Sequence, residues 1–180
     1  MQEISLNILD AVQNSIKAGA LLIQIEINEA ITQNRLTVCV TDNGCGMNAE
    51  QLNAVTDPFF TTRKTRKVGL GVPFFKMAAE MTGGSFDIHS ELGVGTKLCA
   101  EFVYDNIDRM PLGSMEDTVG LLIQCNPGVD FVYKHIYENK SYVLDTREIK
   151  KVLEGVPIEH VEVVLYLKNV ITENDNDIKS

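Results

Sequence analysis

Leu36-Thr37-Val38-Cys39-Val40-Thr41-Asp42-Asn43-Gly44-Cys45-Gly46-Met47 reads as a strand that runs straight into a glycine-rich turn. Apolar Leu36, Val38 and Val40 alternate with Thr37, Cys39 and Thr41, the period of a strand with one buried face. Just upstream, Ile23, Ile25 and Ile27 alternate with Gln24, Glu26 and Asn28, and the polar Thr32-Gln33-Asn34 lies between the two runs. The pair predicts an antiparallel hairpin, buried on one side and wet on the other.

Toward the N-terminus, residues 3–18 follow the period of a helix. Ile4, Ile8, Leu9, Ala11, Val12, Ser15 and Ile16 share one face, and Glu3, Asn7, Asp10, Asn14 and Lys17 form a narrow polar stripe opposite. Gly19 is placed to cap its C-terminal end. Toward the C-terminus, residues 49–56 predict a short helix. Asp57-Pro58-Phe59-Phe60-Thr61-Thr62 and the basic run Arg63-Lys64-Thr65-Arg66-Lys67 come next. Gly69-Leu70-Gly71-Val72 opens another helix, with Pro73 in its first turn, and Gly83-Gly84 ends it. Strands at 85–90 and 97–104 flank the turn Gly93-Val94-Gly95-Thr96.

Residues 106–116 carry a proline, a glycine and no periodicity, and read as a connector between residues 1–105 and a small α+β appendix over 117–180. In the appendix the pattern predicts strands near 118–125, 129–137 and 141–144, a helix from about Asp145, a second helix over about 159–171, and a frayed polar tail.

Composition narrows the function classes. Hydrophobic residues make up 44% of the 180 and charged residues 23%, as in a globular protein with a real core. No apolar run approaches the roughly 18 residues that span a membrane. Met1-Gln2-Glu3 shows no basic leader, so the expectation is a cytoplasmic protein. A net charge of −9 argues against nucleic acid as the main partner, but not against one mononucleotide held by a few local cations. Cys39, Cys45, Cys99 and Cys125 form no C-x-x-C pair, and Cys39 and Cys99, lying in apolar strand-like runs, read as small core residues rather than a disulfide.

Alone, each piece is ordinary. A surface helix always has a polar stripe, Asp-Asn-Gly is a common turn, and Gly-x-Gly occurs in many chains. The phosphate-binding loop ending in Gly-Lys-Ser/Thr and the Gly-x-Gly-x-x-Gly fingerprint are both missing. In their order, however, the pieces over residues 3–104 resemble the GHKL superfamily of ATP-binding domains, which includes histidine kinases, DNA gyrase and MutL. Asn14-Ser15-Ile16-Lys17-Ala18-Gly19-Ala20 is most similar to MutL, and Asp57-Pro58-Phe59-Phe60-Thr61-Thr62 to the sensor histidine kinases. The resemblance implies a two-layer α+β sandwich, with a mixed, largely antiparallel sheet covered by helices on one face.

It also implies a role for each position. Asp42 accepts a hydrogen bond from the exocyclic amine of adenine; guanine offers an acceptor there, so the contact favours ATP over GTP. Gly44 and Gly46 let the backbone pass close to the base. Thr96 helps Asp42 hold adenine. Asn14 takes the place of the magnesium ligand, a hard amide oxygen beside a triphosphate. Asp10, one turn earlier, takes that of the general base, one methylene shorter than the Glu of many members. Lys17 lies on the same stripe, within range of a phosphate. Gly69, Leu70, Gly71 and Val72 bring a helix N-terminus to phosphate. Arg63, Lys64 and Lys67 belong to the ATP lid, drawn to the triphosphate by charge.

The implied function is magnesium-dependent ATP binding, by a regulatory protein kinase acting in trans or by a slow ATPase switch. The alternative is a non-catalytic, nucleotide-responsive interaction module. No helical hairpin with a phosphoacceptor histidine precedes residue 3, and His89, His135 and His160 read as structural or surface residues, so a stand-alone domain with a protein partner or protein substrate is expected. Tyr133, Tyr137 and Tyr142 form either an exposed aromatic patch or half-buried strand positions. The appendix is expected to pack on the ATP-binding domain or to mediate assembly, a homodimer included.

Overall fold

In the computed structural model, which describes residues 3–56 and 70–180, the first apolar stripe forms helix α1, Ile4–Lys17, with Ile4, Ile8, Ala11 and Val12 buried. The hairpin follows as β1 (Leu22–Ala30) and β2 (Arg35–Asp42), joined by a 3-10 turn over Ile31–Gln33. Ile23 pairs with Asp42 and Ile27 with Val38, a register that keeps the isoleucines of β1 and the Leu36, Val38 and Val40 row on one buried face. Helices α2 (Ala49–Thr56) and α3 (Gly71–Met81) and strands β3 (Ser85–Glu91) and β4 (Gly95–Val103) come where the periodicity places them.

Beyond the connector lie α4 (Met115–Cys125), β5 (Asp130–Tyr137), β6 (Lys140–Asp145), α5 (Thr146–Val152) and α6 (Val161–Lys179). The six strands form one sheet in the order β3-β4-β2-β1-β5-β6. Only the central β1–β5 pair is parallel; the others are antiparallel. Side chains of α1, α3, α4 and α6 share a single hydrophobic core with the inward rows of the strands. This is the mixed, helix-covered sheet expected from the sequence.

Three expectations fail. Residues 118–125 are not a strand but most of α4. Their apolar, partly β-branched run fits a buried strand as well as a buried helix turn. Ser114 decides the matter by accepting a hydrogen bond from the backbone N–H of Asp117 at 3.1 Å and donating its own proton to the Asp117 carboxylate at 2.8 Å, while Glu116 and Asp117 put negative charge on the first turn. The tail is not frayed either. α6 runs to Lys179 because its polar C-terminal turns bind a buried group: Asp175 and Lys179 bond to His135 of β5 and Glu29 of β1. His135 is fully buried, as is Tyr133, and Tyr142 is half-buried, so the tyrosines form no exposed patch.

The third failure concerns Cys39 and Cys99. They pair directly across β2 and β4 and are joined as a disulfide on the sheet face away from the helices. Cys39 alternates with the buried Val38 and Val40, so it shares the outward row of Thr37 and Thr41 and is no core residue.

Candidate functional site

Asp42 closes β2 between two neighbours, paired with Ile23 of β1 on one side and Thr96 of β4 on the other. The turn after it is held from several directions. Asn43 Oδ1 accepts from the backbone N–H groups of Leu21 and Leu22, each at 2.9 Å, and the Cys45 N–H donates to the Ala18 carbonyl at 2.9 Å. These bonds tie the turn to the end of α1. Gly46 adopts φ +66°, and a Cβ there would lie 1.9 Å from the Glu91 carbonyl oxygen, so the turn admits no side chain.

A cavity of about 100 Å³ opens beside this turn. Its polar wall is Asn14, Ser15, Asp42 and Thr96, and its apolar wall includes Val40, Val55, Val72, Ile88 and Leu98. A mostly apolar cavity with one carboxylate in its lining suits a heteroaromatic ring carrying an N–H donor.

The carboxylate is already well engaged. Asp42 Oδ1 accepts from the N–H of Gly44 at 2.8 Å and of Thr96 at 3.3 Å, and Oδ2 accepts the Ser15 hydroxyl at 2.5 Å. An ionised carboxylate offers about four lone-pair positions. Among the described residues three are filled, which leaves one on Oδ2 for a donor in the cavity. Thr96 is fixed in turn: its hydroxyl lies 2.8 Å from that of Ser90, which also accepts from the Met47 N–H at 2.8 Å and bonds the Gly95 carbonyl at 3.1 Å.

A second contact lies one turn back along α1. Gly71, the first residue of α3, approaches Asp10 so closely that a Cβ on it would stand 2.7 Å from the Asp10 Cβ. The N-terminal end of α3 therefore meets the polar stripe of α1 at Asp10.

The structure thus brings Asn14, Asp42, Gly46, Val72 and Thr96 to one cavity, and Asp10 to Gly71 beside it. Gly44 is buried, with its N–H on the Asp42 carboxylate. Lys17 is exposed at the end of α1, and Leu70 is half-exposed at the start of α3; neither lines the cavity. Arg63, Lys64, Lys67 and Gly69 lie outside the described residues. Ser15, Asn43 and Ser90 were missed by the sequence reading. Ser15 did carry a signal, because a hydroxyl on an apolar helix face needs a buried partner. Ser90, inside a strand, carried none.

Comparison with known proteins bears on the same residues. The sequence model of the family described as histidine kinase-, DNA gyrase B-, and HSP90-like ATPase matches residues 2–106. The sensor histidine kinase ZraS of Klebsiella oxytoca is 43% identical over 61 residues, 34% of this chain and 13% of ZraS. The sensor protein SrrB of Staphylococcus aureus is 33% identical over 101 residues, 53% of this chain and 17% of SrrB. This chain therefore spans less than a fifth of either relative. Among solved structures, the Aquifex aeolicus MutL ATPase domain complexed with ADP aligns with a TM-score of 0.49 at 15% identity, over 85% of this chain and 69% of that one. Among the described residues, no helix is long and apolar enough to cross a membrane.

Proposed function

The chain belongs to the histidine kinase-, DNA gyrase B- and HSP90-like ATPase family, and from that premise we propose that it binds ATP with magnesium in the Asp42 cavity and turns it over, as a regulatory kinase acting on a partner protein or as a slow ATPase switch. The observation that carries this reading is the one acceptor position on Asp42 that the described residues leave open, in the lining of a mostly apolar cavity. The exocyclic amine of adenine fills it; the O6 of guanine would set acceptor against acceptor. Val40, Ile88 and Leu98 would supply the apolar wall against the base, and Thr96, in the same cavity lining, would help Asp42 hold the ring.

From the base, the phosphates run toward Asn14 and the start of α3, where the N–H groups of Gly71 and Val72 and the helix dipole favour negative charge. Gly69 and Leu70 belong to the same phosphate approach. Asn14 offers a hard amide oxygen on the cavity wall. Among the described residues no cluster of three or more His, Cys, Asp or Glu side chains could hold a metal, so magnesium would rest mainly on phosphate oxygens, with Asn14 as its protein ligand. There it would offset phosphate charge. Asp10 would take a proton from an attacking hydroxyl or water, a role its nearness to the start of α3 supports. Lys17, Arg63, Lys64 and Lys67 supply positive charge around the triphosphate. ATP as ligand argues for a cytoplasmic domain.

Calorimetric titration of the chain with ATP, ADP and GTP, with and without magnesium, tests the reading. ATP is expected to bind more tightly than GTP and to lose affinity without magnesium. Equal affinity for GTP would remove the role of Asp42, and indifference to magnesium that of Asn14. The base role stands on Asp10: if Asp10→Asn leaves phosphate release unchanged while Asn14→Ala abolishes ATP binding, Asp10 is not the base, and a wild-type chain that binds ATP but releases no phosphate above background sinks the enzymatic part.

A further inference from the structure

Ser90 lies near the end of β3, two residues beyond Ile88 of the Asp42 cavity, and its one hydroxyl has three partners. Its oxygen accepts the Met47 N–H at 2.8 Å, lies 3.1 Å from the Gly95 carbonyl oxygen, and lies 2.8 Å from the Thr96 hydroxyl. A hydroxyl has one proton to donate and two positions that accept. The Gly95 carbonyl only accepts, so the Ser90 proton goes there. The Met47 N–H fills one acceptor position, and the Thr96 hydroxyl must donate into the other. All three bonds form in this arrangement and in no other.

That count fixes the polarity of Thr96. Its proton is spent on Ser90, and among the described residues nothing else bonds its hydroxyl oxygen. Thr96 therefore meets the cavity it lines with lone pairs. Asp42, its partner across β2 and β4, does the same with the position left open on Oδ2. The Thr96 N–H on Asp42 Oδ1 at 3.3 Å sets the two side by side. Ser15 spends its proton on Asp42, and Asn14 serves magnesium in the reading above. At the Asp42–Thr96 end the cavity presents side-chain acceptors and no side-chain donor.

We propose that Ser90 is a positioning residue that sets base specificity: by taking the Thr96 proton, it makes this end of the cavity select a purine with an amino group at C6 over one with an oxo group. The proposal rests on the ATP reading and adds to Asp42 a second acceptor, whose sign is set by a residue outside the cavity lining. Paired residues of antiparallel strands stand about 4.5–5.5 Å apart at Cβ, close enough for both side chains to meet one substituent. An amino group offers two N–H donors there. An oxo group brings lone pairs against both acceptors. Without Ser90, the Thr96 hydroxyl is free to turn its proton into the cavity and donate to the oxo oxygen.

The test is calorimetric titration of the full chain with ATP and inosine triphosphate, which share ribose and triphosphate and differ at C6 and the adjoining N1. Wild type is expected to favour ATP, and Ser90→Ala to lower that ratio at least about tenfold. Ser90→Thr keeps a hydroxyl and should restore most of it. Thr96→Val keeps the shape and removes the hydroxyl; it should lower the ratio in its own right, and adding Ser90→Ala to it should change the ratio less than about twofold. Equal weakening of both ligands by Ser90→Ala, as a merely structural part would give, overturns the proposal. So does a ratio that rises, because Thr96 would then face N1. Equal weakening of both ligands by Thr96→Val overturns it as well, and that arm holds even if Ser90→Ala does not fold. A wild-type chain that binds neither nucleotide overturns the ATP reading and the proposal together; one that prefers ATP while Ser90→Ala keeps the ratio overturns the proposal alone.

Discussion

The hydroxyl of Ser15 lies 2.5 Å from Oδ2 of Asp42, so a residue on the buried face of α1 aims the carboxylate at the end of β2. Ser15 is 5% exposed, and helix and strand come together on this bond. Ser15→Ala removes the donor and leaves a largely buried acceptor to water. A lost bond to a charged group costs about 1.5–3 kcal/mol. The variant should therefore melt at lower temperature and bind ATP roughly tenfold more weakly, as read by a thermal melt and calorimetry. Wild-type ATP affinity in Ser15→Ala would show that the carboxylate needs no such aim.

Gly71→Ala sets two effects against each other. Alanine has a helix propensity up to about 1 kcal/mol better than glycine, less at a first helical position. Against that, its Cβ would fall 2.7 Å from the Asp10 Cβ, an atom fixed to the α1 backbone rather than the tip of a flexible side chain. Two packed helices must then move apart, and overpacking of this kind costs about 1–3 kcal/mol. Net destabilisation with weakened ATP binding is expected, the second because the phosphate-facing helix end shifts. A Gly71→Ala variant that melts higher than wild type would mean that α1 and α3 do not meet here.

The same local facts explain how far the sequence could be read. The period of two through Leu36, Val38 and Val40 specified the hairpin, because strands and turns of this kind are local, and the family resemblance singled out Asp42, Gly46 and Thr96, which line one cavity. What was not read was local in one case and depended on long-range partners in the others. α4 was mistaken for a strand because Val119, Leu122 and Ile123 are apolar in either conformation, and only the cap at Ser114 breaks the tie. The last turns of α6 look polar and disposable until Asp175 is seen to meet His135, forty residues away. Ser90 acts through Thr96 across a turn, which no spacing reveals. Cys39 is the instructive case, since its alternation with Val38 and Val40 already pointed outward while its apolar neighbours suggested a core.

Reduction of the Cys39–Cys99 bridge separates stability from binding. The bridge closes a loop of 60 residues, for which chain entropy estimates a contribution of about 4 kcal/mol. It lies three residues from the Asp42–Thr96 pair on the same two strands, yet it faces away from the cavity, and the β2–β4 ladder holds the pair without it. Dithiothreitol should lower the melting temperature and leave the ATP dissociation constant within about twofold. A tenfold change in affinity on reduction would instead couple the bridge to the site.

The stability of the chain should fall as pH rises through the titration of His135, which is held above its ordinary 6.5. Its Nδ1 lies 2.7 Å from Asp175 Oδ1 and its Nε2 2.9 Å from Glu29 Oε1. Ionised carboxylates only accept, so both ring nitrogens must donate, and the group is an imidazolium. Around it, Tyr142 donates to Asp175 at 2.6 Å, Tyr104 to Glu29 at 3.2 Å, Lys179 pairs with Glu29 at 2.9 Å, and the Tyr133 hydroxyl lies 3.3 Å from Nδ1. Burial alone would push His135 down, but its bonds to Asp175 and Glu29 outweigh burial and hold it above its ordinary 6.5. For Glu29, burial pushes up, and the bonds to His135 and Lys179 outweigh it and bring the carboxyl down to about 2. A raised cation contributes fully below its unfolded value and loses that contribution as pH rises through the folded one; a depressed acid contributes above its ordinary 4.5 and loses it as pH falls toward about 2. The melting temperature should therefore be highest between about pH 5 and the titration of His135, and decline above it. Above that titration the ring can donate from only one nitrogen, and Lys179 still neutralises Glu29, so the contact most weakened is Asp175 and with it the end of α6. Amide exchange over residues 171–178 should accelerate there beyond the intrinsic base-catalysed rise. His135→Gln, neutral at every pH, should melt lower throughout and lose the alkaline slope, and an equal slope in variant and wild type would place the titrating group elsewhere.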